Sequence, residues 1–312
     1  MSNQRGVHIA ILGASGHIGK NLAAYFAADG QHELFLVSRT PEQLAIGGAP
    51  ISASCAVHTL TYAEFPQQTY DVVINCVGIS DPGQIALAGA SIFRLTEDYD
   101  NLVLDYLARH SGALYVFVSS GAVYGRDFSR PVDDQTLVSI GLGDIRPSDY
   151  YGLAKLNAEV KHRALAQYNI VDLRIFGFFS RYADLSAKFF LSDIIAAIRS
   201  GRPLVTDDRD MSRDYVHPAD LGQLVERCIQ QQHLNQSLDV YSRQPTTKFE
   251  IIKMARERYG LAVEVCDSPV GNSTTGDKDH YYSLSKRAEM VGYIPQYTSL
   301  EVVQAGLAAI SS

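Results

Sequence analysis

Three short segments of the chain carry glycine, serine, tyrosine and lysine at spacings that could do chemistry. In chain order they are GASGHIG (Gly13 to Gly19), SSGAVYG (Ser119 to Gly125) and YGLAK (Tyr151 to Lys155). Tyr-x-x-x-Lys alone is a weak signal in a chain with 18 tyrosines, and a second copy runs from Tyr282 to Lys286. Only the first copy follows a serine pair at the end of an apolar run. In this order, the segments predict a site that binds a nicotinamide dinucleotide and moves a hydride and a proton.

The glycine segment follows an apolar run, Val7 to Leu12, and precedes a helical stretch, Lys20 to Ala28. A strand, a turn and a helix in that order are the context of a dinucleotide-binding loop. Glycine allows the tight turn, the approach of a pyrophosphate and close helix packing, while amides at the helix start bind the negative charge. The loop residues that we expect to contact the cofactor are Gly13, Ser15, Gly16, His17, Ile18 and Gly19.

Ser38 and Arg39 follow the second predicted strand, Glu33 to Val37. An NAD-selective site usually places an acidic residue here, where it binds the ribose 2′-hydroxyl. Arg39 would instead bind a 2′-phosphate through two parallel hydrogen bonds. We therefore expect NADP(H) as the preferred cofactor, with NAD(H) as the alternative. In the other interpretation, Arg39 is a solvated residue that opens a loop.

Tyr151 and Lys155 lie four residues apart on a predicted helix from Tyr151 to Tyr168, so they share one face. A phenol with an unperturbed pKa of about 10 is a poor base at neutral pH. The ammonium of Lys155 and the cationic ring of an oxidised nicotinamide favour the phenolate. Tyr151 is therefore the candidate general acid/base, and a surface Tyr-Lys contact is the alternative. Ser119 and Ser120 follow the strand predicted from Leu114 to Val118, at the carboxyl end where open α/β sheets bind ligands.

The G-x-x-G-x-x-G spacing, together with the serine and Tyr-x-x-x-Lys segments, resembles the extended short-chain dehydrogenase/reductase superfamily, in its NAD(P)-dependent epimerase/dehydratase-like family. Two later segments also resemble nucleotide-sugar epimerases and reductases. They are SRDYVHPADL (Ser212 to Leu221) and YYSLSKRAEMVGYIPQYTSLEVV (Tyr281 to Val303). The resemblance covers nearly the whole chain and implies a nucleotide-sugar substrate.

The resemblance also implies roles for single residues. The family's catalytic hydroxyl falls on Ser120, with Ser119 as a supporting residue, and Lys155 is expected to bind the nicotinamide ribose. Arg213 is the candidate partner for the substrate diphosphate, unless it forms a salt bridge with Asp214 or Asp210. The other implied contacts are Val77, Gly78, Phe176, Tyr151 and Lys155 with the cofactor, and Ser120, Gly121 and Arg213 with the substrate.

Three departures from the family pattern bear on the substrate. Gly177 stands where the family commonly has an Asn that touches the sugar nucleotide, and residues 59–61 lack the carboxylate that often contacts adenine. Phe178 and Phe179, which follow, either shape a different pocket or belong to the core. Gly121 and Ala122 stand where sugar 4,6-dehydratases carry Asp-Glu, which argues against a 4,6-dehydratase.

Three functions fit these residues. The first is an oxidoreductase that reduces a keto group of a nucleotide-linked deoxysugar, which Arg39 favours because net reduction commonly uses NADPH. The second is a nucleotide-sugar epimerase that retains its cofactor and returns the hydride. The third, from another class, is a non-catalytic NADP(H)-binding redox sensor, which would need no acid/base group at Tyr151.

The composition is typical of a soluble enzyme, with 46% hydrophobic residues, 20% charged residues and a net charge of −7. The acidic balance argues against a nucleic-acid partner. No uninterrupted apolar run approaches the roughly 18 residues of a membrane span, so we expect no membrane partner and a cytoplasmic location. Four unpatterned cysteines predict reduced thiols and no metal site.

Alternating strands and helices from Val7 to about Leu173 predict an α/β fold, namely a Rossmann-type doubly wound parallel sheet over residues 1–174. Residues 175–312 are expected to form mainly a smaller substrate-binding region, with residues 214–231 returning to the nucleotide-binding part and the region resuming at about Leu238. Ser268 to Asp279 is expected to be a mobile loop. A homodimer is possible through the helices predicted at Leu95 to His110 and Tyr151 to Tyr168, whose apolar faces could equally pack within one subunit.

Overall fold

A seven-stranded parallel sheet forms the centre of the fold in the computed structural model, which describes residues 6–44, 55–79, 81–187, 189–266 and 278–311. The strands of the described residues are β1 (His8–Leu12), β2 (Glu33–Val37), β3 (Val57–Leu60), β4 (Val72–Asn75), β5 (Leu114–Ser120), β6 (Asn169–Ile175), β7 (Leu204–Asp207), β8 (Ser212–Arg213), β9 (Asn235–Val240), β10 (Thr246–Thr247), β11 (Val263–Cys266) and β12 (His280–Tyr281). The large sheet has the order β3-β2-β1-β4-β5-β6-β9, and its neighbours all pair in parallel. This topology confirms the predicted doubly wound α/β class.

Helices cover both faces of the large sheet, which is why β1 is apolar and buried from Ile9 to Leu12 and β4 from Val72 to Ile74. The helices of the described residues are α1 (His17–Asp29), α2 (Pro82–Ala88), α3 (Ser91–Leu107), α4 (Tyr150–Ala164), α5 (Phe190–Ser200), α6 (Pro218–Ile229), α7 (Lys248–Tyr259) and α8 (Ser299–Ser311). α1 and α6 pack on one face, whereas α3 and α4 pack together on the other. The strand order reverses between β1 and β4, so a ligand crevice is expected at the carboxyl ends of these strands.

Helix α4 ends at Ala164, earlier than the predicted Tyr168. The side-chain amide of Asn235 lies within hydrogen-bonding distance of the carbonyls of His162, Leu165 and Tyr168, at 3.1–3.2 Å. The His162 carbonyl lies in the last turn of α4, where carbonyls lack the usual partner four residues on, and the other two lie just beyond the end of the helix. A residue far away in the sequence therefore helps to terminate the helix, which a local pattern could not predict.

A second core lies in the C-terminal part of the chain. β7 pairs with β11, β8 lies between β10 and β12, and α5, α7 and α8 enclose an apolar cluster. Between the elements of this second core, α6 packs on α1, with Gly222 against the ring of Tyr25. β9 pairs with β6 and joins the large sheet. The smaller region therefore does not resume at Leu238, which lies inside β9.

Other expectations concern thiols, membranes and mobility. All four cysteines are free thiols. No helix in the described part of the chain combines the length and the apolar character that a bilayer span requires. Residues 268–277 of the expected mobile loop lie outside the described residues.

Candidate active site

The glycine loop between β1 and α1 is built so that side chains cannot replace its glycines. Gly13 has a φ of +73°, and a Cβ atom there would lie 3.0 Å from the amide nitrogen of Val77. A Cβ atom on Gly19 would overlap the Gly13 carbonyl oxygen. Gly16 precedes α1 and has no side chain with which to cap it, so the first amides of the helix can bind an anion. The loop therefore fits the pyrophosphate of a dinucleotide.

His17 fixes the glycine loop to the C-terminal part of the chain. Its Nε2 lies 2.8 Å from Ser180 Oγ, and its ring packs edge-on against Phe178 with centroids 5.0 Å apart. Burial, with a smaller contribution from Lys20, lowers the pKa of His17 to about 4, so the imidazole is neutral. Of the other predicted loop residues, Ser15 is exposed and Ile18 packs against the core.

Arg39 is exposed at the carboxyl end of β2, directly after the buried Ser38. Tyr62, which was not among the predicted residues, lies beside the glycine loop. Its hydroxyl accepts a 3.2 Å hydrogen bond from the Gly13 amide. Burial raises the pKa of Tyr62 to about 12, although Arg39 acts in the opposite direction. Tyr62 follows β3, and its position just after a strand of a parallel sheet was the available signal.

Lys155 connects the ends of β4 and β5. Its Nζ donates to the Val118 carbonyl at 2.8 Å and to the Val77 carbonyl at 3.5 Å, and it lies 4.4 Å from the centroid of the Phe117 ring. A Cβ atom on Gly78 would lie 3.4 Å from the same Nζ. Burial lowers the pKa of Lys155 to about 8, and Asp100 and other anionic groups oppose that shift. The predicted residues after β4 thus lie beside the predicted lysine.

The two serines at the end of β5 point in opposite directions, as alternate residues of a strand do. Ser119 Oγ donates to Glu159 at 2.6 Å and is buried. Ser120 Oγ accepts a 3.2 Å hydrogen bond from the Ala122 amide and lies 3.4 Å from the hydroxyl of Tyr281. This geometry is consistent with the predicted assignment of Ser120, rather than Ser119, to the substrate side.

Tyr151 reaches Ser120 because α4 lies against the turn after β5. A Cβ atom on Gly152 would overlap the Ala122 carbonyl oxygen, so glycine permits this approach. Burial raises the pKa of Tyr151, and a hydrogen bond with Ser120 opposes part of that rise. The ammonium of Lys155, expected to lower this pKa, is bonded to strand carbonyls instead. Tyr151, Ser120 and Lys155 are nevertheless brought to one sheet edge, as predicted.

An aromatic cluster forms the floor beside Ser120. Phe176 packs there with Phe128 and Tyr281, at ring-centroid distances of 6.5 and 5.3 Å. A Cβ atom on Gly121 would overlap the Phe176 ring. The space that an Asp or Glu directly after Ser120 would need is therefore filled by Phe176.

Arg213 approaches this centre through the small sheet. Arg213 pairs with Tyr281 where β8 lies beside β12. Its Nη1 donates to the carbonyls of Ser212 at 2.9 Å and Lys278 at 2.7 Å. The alternative salt bridge to Asp214 is not formed, because that carboxylate accepts hydrogen bonds from Ser242 and Ser299 instead. Burial lowers the pKa of Arg213.

Lys278 is a further cation at the site, in addition to Lys155 and Arg213. The sequence patterns did not indicate it. Its Nζ lies 4.3 Å from the ring centroid of Tyr281 and 5.0 Å from that of Phe128. Burial, assisted by Arg213, lowers its pKa to about 8. The site therefore combines three hydroxyls with two cations suited to an anionic substrate.

Behind Lys155, α3 and α4 enclose a charged group. Both ring nitrogens of the buried His162 meet carboxylates, with Nδ1 2.6 Å from Asp172 and Nε2 2.7 Å from Asp100. Burial alone would lower the pKa of His162, but the two carboxylates raise it to about 9. Because both nitrogens act as donors, His162 is an imidazolium that neutralises charge beneath the active site.

The departures from the family pattern have structural reasons. Gly177 packs so closely on the Asp214 carbonyl oxygen that a Cβ atom would overlap it. An Asn at this position would have to displace the strand that carries Arg213. Phe179 is core, packed against Gly306 of α8, whereas Phe178 contacts His17.

A doubly wound sheet with a glycine loop, a serine at the end of β5 and a Tyr-Lys pair on α4 defines a dinucleotide-dependent class of enzymes. Residues 9–242 match the model of the NAD dependent epimerase/dehydratase family. The chain belongs to this family. Membership indicates a nicotinamide cofactor, which the glycine loop fits.

Solved structures with nearly the same extent share the fold. UDP-glucose 4-epimerase from Thermotoga maritima, solved with UDP-glucose, is 15% identical with a TM-score of 0.79, over 97% of this chain and 98% of that one. UDP-N-acetylglucosamine 4-epimerase from Methanobrevibacter ruminantium is 16% identical with a TM-score of 0.79, over 99% of each chain. dTDP-glucose 4,6-dehydratase from Bacillus anthracis is 14% identical with a TM-score of 0.76, over 98% of this chain and 97% of that one. No curated protein sequence matches the chain significantly.

Proposed function

We propose that the protein is a nucleotide-sugar epimerase that retains its nicotinamide cofactor. The observation that carries the proposal is the convergence of Ser120, Tyr151 and Lys155 at the carboxyl edge of the sheet. Lys155 donates to the Val118 carbonyl there, and Gly152 lets α4 lie against the turn after β5. The similar structures include two sugar-nucleotide 4-epimerases, which favours this function over the keto reduction expected from the sequence.

Each residue has a defined task in such a reaction. Tyr151 takes the proton of the sugar hydroxyl during oxidation and returns it during reduction, while Ser120 holds the same oxygen. A nicotinamide cofactor held at the glycine loop would supply the acceptor and donor of the hydride. In this proposal Lys155 holds the nicotinamide ribose, and Arg213 and Lys278 hold the diphosphate of the substrate.

A 4,6-elimination has less support from this site. Such a reaction needs a second acid and a base to remove a hydroxyl and a neighbouring proton. Gly121 and Ala122 offer neither, and the Phe176 ring occupies the space beside Gly121. Sugar inversion needs only the groups that are present.

The proposal is tested with purified protein, NAD⁺ or NADP⁺, and a panel of UDP- and dTDP-linked hexoses. Proton NMR of the sugars and nicotinamide absorbance are followed together. We expect one sugar to give its epimer with no net change in cofactor. A parallel reaction supplies NADPH and nucleotide-linked 4-keto-6-deoxysugars, and loss of NADPH in proportion to a reduced sugar would replace this proposal with a reductase.

Keto reduction with NADPH is the second candidate, and Arg39 favours it. Its side chain is exposed directly after β2, and no salt bridge of Arg39 is found in the described part of the chain. A non-catalytic sensor has less support, since it would need neither Ser120 nor Tyr151.

Arg39→Ala is expected to weaken NADPH binding by about 10- to 100-fold, because a bidentate charged contact is lost. Affinity for NADH should stay within about threefold, since the 2′-hydroxyl offers no comparable partner. Fluorescence titration with both cofactors measures the ratio of the two affinities. Arg39→Lys is the comparison variant, because it keeps the positive charge but lacks the planar guanidinium. Equal losses of affinity for NADPH and NADH would show that Arg39 does not bind the 2′-phosphate.

A further inference from the structure

Tyr281 adds a third hydroxyl to the reaction centre, although neither the serine segment nor the first Tyr-x-x-x-Lys pair contains it. Its hydroxyl lies 3.4 Å from Ser120 Oγ. Its ring is held by Phe128 and Phe176, with centroids 4.7 and 5.3 Å away, and its backbone by the pairing of β12 with β8. A phenol fixed in this way has little freedom to turn to another partner.

The Ser120 hydroxyl cannot serve both phenols as a donor. A serine hydroxyl has one hydrogen and two acceptor lone pairs. The Ala122 amide occupies one lone pair, at 3.2 Å. Tyr281 lies 3.4 Å from this Oγ, and α4 brings Tyr151 to the same turn, so the single hydrogen of Ser120 stabilises the phenolate of only one of them.

The surroundings of the two phenols affect their pKa values differently. Burial raises the pKa of both. Negative charge on Tyr151 raises the pKa of Tyr281 further, since two like charges at one site oppose each other. Tyr281 therefore keeps its proton when Tyr151 ionises and remains available as a donor.

We propose that Tyr281 donates its phenolic hydrogen to Ser120 Oγ and so reserves the Ser120 hydrogen for the oxygen of Tyr151. Tyr281 is then a positioning residue, acting on the general acid/base through Ser120. The proposal rests on the proposed function only in taking Tyr151 as that acid/base. A donor to Ser120 also polarises it and strengthens its own hydrogen bond to Tyr151.

The surrounding charges must stay constant in a test of this proposal. They lie on the helix and the strands that pack around the two phenols. The charged groups are Lys155 on α4, Arg213 on β8, and Lys278 and Asp279 next to β12. Tyr281→Phe leaves all four in place and keeps the ring that packs on Phe128 and Phe176.

The experiment places 3-fluorotyrosine at position 151 and follows its ¹⁹F chemical shift against pH, without substrate. In the Tyr281→Phe variant we expect the pKa of this phenol to rise by about 0.5 to 1 unit, because its phenolate loses a polarised donor. Tyr282→Phe is the matched control and should leave the titration unchanged. In a Ser120→Ala background, Tyr281→Phe should have no effect on this pKa.

Two results would overturn the proposal. An unchanged or lower pKa in Tyr281→Phe would show that Tyr281 does not support the Tyr151 phenolate. An equal rise in the Ser120→Ala background would show that Tyr281 acts directly and not through Ser120. The titration needs no turnover. A protein that is inactive on every nucleotide sugar would therefore refute the proposed function, while the pKa change in Tyr281→Phe could still be measured.

Discussion

Tyr151→Phe is expected to reduce turnover of the nucleotide sugar by about 10²- to 10⁴-fold, the range that general acid/base groups contribute. The substitution removes one oxygen and keeps the ring. Cofactor binding should stay within about twofold, because Lys155 and the glycine loop supply those contacts and remain in place. Steady-state kinetics and cofactor titration on the same preparation measure the two quantities.

Tyr150→Phe is the matched control for Tyr151→Phe. Tyr150 begins α4, and its ring packs near Phe93 with centroids 5.6 Å apart, away from Ser120. Its loss of a hydroxyl should change turnover by less than about threefold, as for a group outside the reaction centre. If Tyr151→Phe kept full activity, Tyr151 would not be the acid/base, and a sensor that keeps its function without the phenol would gain support.

His162→Phe is expected to lower the free energy of unfolding by about 3 to 5 kcal/mol at neutral pH. The substitution leaves Asp100 and Asp172 facing each other without the imidazolium between them, and both carboxylates are fully buried. Urea denaturation measures the loss. His233→Phe, at an exposed position, should stay within about 0.5 kcal/mol of the unsubstituted protein.

The same comparison has a defined pH dependence. The folded pKa of His162, about 9, exceeds the unfolded value of 6.5, so its stabilisation is fully present below pH 6.5 and is lost as the pH rises through 9. The difference between His162→Phe and the unsubstituted protein should therefore shrink between pH 7 and pH 10. Lys155, with its lowered pKa, changes stability in the opposite sense, but it is present in both proteins. A difference that stays constant over this range would mean that His162 is neutral in the fold.

The local parts of the site could be predicted from the sequence. The glycine spacing specifies a turn with positive φ at Gly13 and close packing at Gly19, and four-residue spacing puts Tyr151 and Lys155 on one helical face. The alternation of strands and helices similarly predicted the doubly wound sheet. These are properties of neighbouring residues, so one sequence contains them.

The contacts between distant segments could not be predicted in this way. Tyr281 and Lys278 reach the site because β12 pairs with β8, and these two-residue strands have no hydrophobic period to detect. The proximity of His162 to Asp100 and Asp172 depends on the packing of α3, α4 and β6. β9 pairs with β6 in the large sheet. The order of polar and apolar residues in β9 does not indicate which sheet the strand joins.

The most direct test of the central claim is an epimerisation assay in D₂O with the oxidised cofactor, read by NMR at the inverted carbon. Tyr151 exchanges only the hydroxyl proton in this account, so we predict that the epimer forms with its original carbon-bound hydrogen, without deuterium, and with no net change in cofactor. Deuterium at that carbon would mean that inversion proceeds by removal and return of a proton. Such a result would contradict hydride transfer at the Ser120, Tyr151 and Lys155 site.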